Sequence, residues 1–145
     1  MKTSVIKSLL YFVFAAFLIA CGDDIAKELD EDIDLTQPIV YNGDFNSANS
    51  YNVSGKAFIT MEEGKKMLIF QDFMSTSGPD LKVYLSAEKS PKNHLDLGDL
   101  KALSGNFSYE LPIDYSLSEN GPFVLVYCEQ FTVLFGSAEL MMNEN

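Results

Sequence analysis

Four kinds of residue in this chain are equipped for chemistry: two cysteines, one histidine, a close pair of acids and a pair of methionines. Cys128 ends the apolar run Phe123-Val-Leu-Val-Tyr-Cys128. A cysteine reacts or binds metal as the thiolate, which forms next to cations or a helix N-terminus and needs access. No Lys or His flanks Cys128 in sequence, so the local pattern predicts an inert core thiol that behaves as a small hydrophobe. His94 closes the loop Glu88-Lys-Ser-Pro-Lys-Asn-His94 and is expected as an exposed loop residue. A Ser-His-Asp triad, or a zinc site built from several His or Cys, lacks its ligands here. Asp96 and Asp99 flank Gly98 and are candidate calcium ligands, but the loop falls short of the ligand count of an EF-hand. Met141 and Met142 are candidate soft ligands. No Gly-rich phosphate loop and no acid/base or nucleophile constellation is present, so a catalytic role is the least expected.

The second cysteine, Cys21, has a different setting. Lys2 and Lys7 precede a twelve-residue apolar run, Leu9 to Ala20, and Cys21 follows directly. A basic start, a short apolar stretch and small residues at a cleavage point make a secretory signal. The run is short for a membrane span, which needs about 20 residues. Leu18-Ile19-Ala20-Cys21 resembles a bacterial lipobox, in which the thiol is acylated and the chain is cut before the cysteine. The alternative is an ordinary secretory signal with a cysteine near its end. The lipobox reading predicts a signal peptide over 1–20, lipid such as palmitate on Cys21, and a lipoprotein of the cell envelope. Its partner would be outer-membrane lipid held through Cys21, with the domain on the inner or outer face. It also leaves Cys128 without an intramolecular disulfide partner.

The charge balance narrows the partners. Ten Lys and Arg stand against 21 Asp and Glu, a net charge of −11, and losing Lys2 and Lys7 makes it more negative. Such a chain is repelled by phosphate backbones, so nucleic acid is excluded as a partner. Acids concentrate in residues 22–40, with Asp23, Asp24, Glu28, Asp30, Glu31, Asp32 and Asp34 against Lys27. Their charge and sparse apolar content predict a flexible linker over 21–40, with a short helix near Ile25 to Leu29 at most. The acids close behind Cys21 also resemble surface-export signals of some Gram-negative lipoproteins.

From Tyr41 the texture changes to short apolar bursts between turns, which predicts one domain over 41–145. Lys56 to Met61 and Lys66 to Phe70 read as a hairpin around Gly64. Leu81, Val83 and Leu85 alternate with Lys82, Tyr84 and Ser86 as a half-buried strand should. Phe107, Tyr109 and Leu111 share another face. Phe123 to Cys128 is apolar throughout and reads as a central strand buried on both faces. Phe131 to Phe135 follows, and Ser137 to Met142 is a candidate last strand. The expected core is Phe58, Leu68, Phe70, Phe73, Leu81, Val83, Leu85, Phe107, Tyr109, Leu125, Tyr127, Phe131, Val133 and Phe135. The fold class is therefore all-β: an antiparallel sandwich or small barrel of about 7–9 short strands.

Five strings in order carry a family resemblance: Gly78 to Ser86, Asp96 to Lys101, Gly105 to Pro112, Val126 to Cys128, and Phe131 to Leu140. Together they resemble the DM13 domain, also called electron-transfer DM13, from about Gly43 to Leu140. That family is an all-β extracellular module. The resemblance places the family's signature cysteine at Cys128 and implies an electron-transfer or thiol-redox role, with haem or metal as the implied prosthetic group. Members often carry a histidine near the first Gly-containing strand. This chain has Tyr51-Asn-Val-Ser-Gly55 there, so a role needing that histidine does not carry over.

Two function classes follow. One is an electron-transfer or thiol-redox module at the cell envelope, with Cys128 as the redox candidate and an envelope redox protein as partner. The other is a binding or accessory module that holds a protein or small ligand through its loops, with Asn42 to Asn52 and Ser86 to His94 as candidate surfaces.

Overall fold

The computed structural model describes residues 25–143. Ten strands run in chain order: β1 (Leu29–Asp30), β2 (Ile39–Ser47), β3 (Val53–Glu62), β4 (Lys65–Ser75), β5 (Leu81–Ser86), β6 (Leu95–Asp99), β7 (Ser104–Leu111), β8 (Phe123–Cys128), β9 (Val133–Glu139) and β10 (Met141–Met142). A single helical turn, α1 (Leu117–Asn120), precedes β8. The strands form one sheet in the order β1-β7-β4-β3-β2-β9-β8-β5-β6, with β10 on β2, curled into a half-barrel. β2 makes the corner. Its first part pairs with β3 and its last part, Phe45 to Ser47, pairs with β9. All pairings are antiparallel except β1 with β7.

The register defines two ends. Met74 pairs with Ser104, Val53 with Ser75, Ser47 with Gly136, and Leu81 and Val133 with Cys128. The connections 48–52, 76–80, 100–103 and 129–132 therefore share one end, called here the near end. The hairpin turn at 63–64, the loop 87–94, the stretch 112–122 and residues 140–143 share the far end.

The concave side is the core. Phe45, Phe70, Phe73 and Phe107 meet there with ring centroids 4.8–5.6 Å apart, edge-on or tilted as aromatic pairs prefer. Val83, Leu85, Val124, Val126, Cys128 and Phe135 close it from the other half of the sheet. β5 and β8 keep the predicted bounds.

Three expectations need correction. Phe58 faces outward and is half-buried, while Ala57 and Ile59 point into the core. The phase was ambiguous because the outer side of β3 is not simply wet: Phe58 lies opposite Ile69, itself only 4% exposed. Phe131 is 56% exposed, because Thr132 at φ 54° turns the chain and β9 begins only at Val133. Tyr127 is only half-buried, whereas Leu125 is fully buried as expected. The last strand also divides, since Ser137 to Glu139 continue β9 and only Met141–Met142 form β10.

A further correction concerns the expected linker. Residues 25–38 lie along the domain as a strap, and β2 already begins at Ile39. Ala26 bridges Ala102, and the Leu103 N–H donates to its carbonyl at 2.9 Å. β1 adds to the edge of β7, where the Glu31 N–H donates to the Asn106 carbonyl at 2.7 Å. Gly105 makes this approach possible: its φ is 113°, and a Cβ there would stand 2.1 Å from the Leu29 carbonyl oxygen. The Glu31 carboxylate takes Lys101 Nζ at 2.9 Å on one oxygen and the Ser108 N–H at 2.8 Å on the other. Ile25 and Leu29 pack against the core cluster, and residues 25–29 are not helical. The acids of this segment read as solvating charge, but Asp30 and Glu31 have partners far along the chain.

Candidate functional site

Cys128 ends β8 on the concave side and has no exposed surface. The strand alternation puts Val124, Val126 and Cys128 inward, and Leu81 and Val133 pair with Cys128 from the two neighbouring strands. Surface clefts of about 80 to 370 Å³ are lined by other residues, and none described reaches Cys128. Thiol–disulfide exchange requires attack by or on an accessible sulfur. In this packing Cys128 is shielded from soluble thiols, as the apolar run predicted.

The convex side of the same strands carries a polar cluster. Tyr84 is 1% exposed, and its hydroxyl donates a hydrogen bond to the carboxylate of Glu129. Burial, then the Glu129 carboxylate, pushes the Tyr84 phenol well above its ordinary range. The His94 ring lies 4.0 Å from the Tyr84 ring, and its Nδ1 donates to the Pro91 carbonyl at 2.9 Å. His94 is thus half-buried and packed rather than free in a loop. Lys82 joins Asp80 at 3.3 Å and, more closely, Asp99. The Asp99 hydrogen bond, opposed by some burial and helped by Asp80, raises the Lys82 ammonium above its usual value. Asp96 Oδ1 accepts the Gly98 N–H at 2.7 Å. The two candidate calcium ligands are therefore spent on a turn and an ion pair. Local sequence hinted at Tyr84 only as the aromatic on the polar face of β5. Its partner Glu129 lies 45 positions away and carried no signal.

A family profile described as Electron transfer DM13 matches residues 44–140. The chain belongs to this family. Comparison with curated proteins and with solved structures gave no match. The DM13 match begins within β2, at Asp44, and runs to the end of β9 with the core cluster and Cys128, and it leaves the strap outside.

The donors around the DM13 cysteine do not suit a haem or metal site. Among the described residues, no three of His, Cys, Asp and Glu gather to hold a metal ion. Met141 and Met142 are 62% and 72% exposed and lie beyond the Phe123 end of β8, since Phe123 pairs with Glu139. Five strand steps of about 3.3 Å separate that end from Cys128, on the order of 16 Å. His94 belongs to the far end as well, and it packs on the convex side of the sheet. The candidate surface Asn42 to Asn52 is strand through Ser47, so only 48–52 is a free-standing connection there. Of Ser86 to His94, Ser86 ends β5 and 87–94 is the loop, pinned by Ser86 Oγ on the Ser90 carbonyl at 2.8 Å. Cys21 lies outside the described residues.

Proposed function

We propose that this chain is an exported, lipid-anchored electron-transfer module working at the cell envelope, with Cys21 as the anchor and Cys128 as the redox candidate. The family match over residues 44–140 carries the electron-transfer reading. Leu18-Ile19-Ala20-Cys21 carries the anchor. One acyl chain binds a membrane only marginally, so stable anchoring implies more than one. Burial of Cys128 disfavours exchange with soluble thiols, and a lone thiol carries no accessible one-electron couple of its own, so the redox reading requires a redox partner that reaches Cys128 on binding.

Voltammetry of the purified chain tests the first claim. A redox couple that disappears in Cys128→Ser is expected. A couple that persists in Cys128→Ser would move the role away from the thiol, and no couple at all would reject electron transfer. A thiol reagent should label Cys128 slowly in the native protein and quickly after denaturation. For the anchor, labelled fatty acid should enter the wild type and not Cys21→Ser. Equal labelling would reject it.

The second reading is a non-catalytic binding or accessory module. It is favoured by the sealed packing of Cys128 and by the ordered loop Ser86 to His94. Absence of any couple, together with retention of an envelope protein on the immobilised domain, would select it.

A further inference from the structure

Exposed apolar side chains stand at both ends of the half-barrel. Phe131, at 56% exposure, and Met74, at 61%, belong to the near end. Ile113, Met141 and Met142 belong to the far end and are 62–72% exposed. Exposure alone does not say which end meets a partner. The strap does. Ala26 is bridged to Ala102 in the near-end connection 100–103, and Ile25 packs against the core beside it. Only Gly22, Asp23 and Asp24 separate Ile25 from Cys21. Four Cα–Cα steps span at most about 14 Å.

We infer that the near end of the domain rests on the lipid bilayer, with Phe131 and Met74 at the headgroup boundary and the far end turned to solvent. This rests on the reading of Cys21 as the anchor. A tether of that length holds the near end within one side chain or two of the surface. An aromatic ring and a thioether chain at a loop tip and a strand end suit the partly apolar headgroup boundary. Cys128 also ends β8 at the near end, so the redox candidate would sit on the membrane side of the domain.

The chain has no tryptophan, so one introduced residue reports cleanly. The lipidated full chain would carry Phe131→Trp, Met74→Trp or Ile113→Trp. Each would be bound to phosphatidylcholine vesicles whose acyl chains are brominated near the headgroup. Flotation with the vesicles reads the anchor. Trp quenching reads the orientation. We expect flotation of all three, loss of most emission from Phe131→Trp and Met74→Trp, and none from Ile113→Trp. Flotation with no near-end quenching, or with quenching of Ile113→Trp, overturns the orientation and leaves the anchor standing. Failure to float overturns the anchor and the orientation with it.

Discussion

Strand β8 and the strap over residues 25–38 are both parts of one curled sheet system, yet different forces hold them. β8 is buried on both faces, with Val124, Leu125, Val126 and Cys128 at 0% exposure. Its place follows from its own composition, because apolar burial stabilises by roughly 25 cal/mol per Å² wherever the strand lands inside. The strap is mostly polar and runs on the outside. It is held by Asn106, Ser108 and Lys101, which meet Asp30 and Glu31 through charge-assisted hydrogen bonds. The first kind of attachment is written in one segment. The second is written in two segments about seventy residues apart. The two should also differ in response: β8 should open only with the whole domain, and the strap by local release.

The contrast is sharpest where one side is damaged and the other is spared. Phe70→Ala removes the ring at the centre of the aromatic core and should cost about 3–5 kcal/mol, read as a lower denaturation midpoint for every probe. Gly105→Ala puts a Cβ against the Leu29 carbonyl at a φ of 113°. It should release β1 and cost about 1–3 kcal/mol, with strap amides losing protection while β8 amides keep theirs. Glu31→Gln should weaken the strap by about 1–2 kcal/mol, the scale of a charged hydrogen bond.

Glu31 also sets a pH dependence. Burial alone would raise its carboxyl, but hydrogen bonds from Lys101 and Ser108 outweigh this and hold it below 4.5. A depressed folded value means the stabilisation is full above about pH 4.5 and fades as pH falls through the lowered value. Strap release on acidification should therefore be blunted in Glu31→Gln. Cys128→Ala should cost on the order of 1 kcal/mol through a small cavity, seen in urea denaturation, and Cys128→Ser more, since its hydroxyl would be buried without a built partner. The smallest effect belongs to Lys56→Ala. Its ion pair with Asp44 has side chains 54% and 71% exposed, so a change within about 0.5 kcal/mol is expected.

The same contrast explains what the sequence made legible. Leu81–Ser86 and Phe123–Cys128 were read to the residue, because alternation and a continuous apolar run are local signals. Cys128 was legible as a core thiol for the same reason. Phe58 was misplaced because both faces of β3 are partly covered, so size did not mark the inward side. Phe131 was misplaced because the turn at Thr132 has no Gly or Pro to announce it. The strap and the Tyr84–Glu129 bond were not legible at all. Each depends on a polar residue meeting a partner that only the folded register brings near.

Hydrogen exchange along the full chain tests this division most directly. Two amides report the strap: Glu31 N–H, given to the Asn106 carbonyl, and Leu103 N–H, given to Ala26. The amides of β8 report the core. At neutral pH both groups should be protected, with β8 the slower. After correction for intrinsic exchange, acidification through the lowered Glu31 value should weaken protection of the strap and leave that of β8. Strap amides that exchange freely at neutral pH would contradict the account. They would return residues 25–38 to a flexible linker and remove the basis for seating the near end on the membrane.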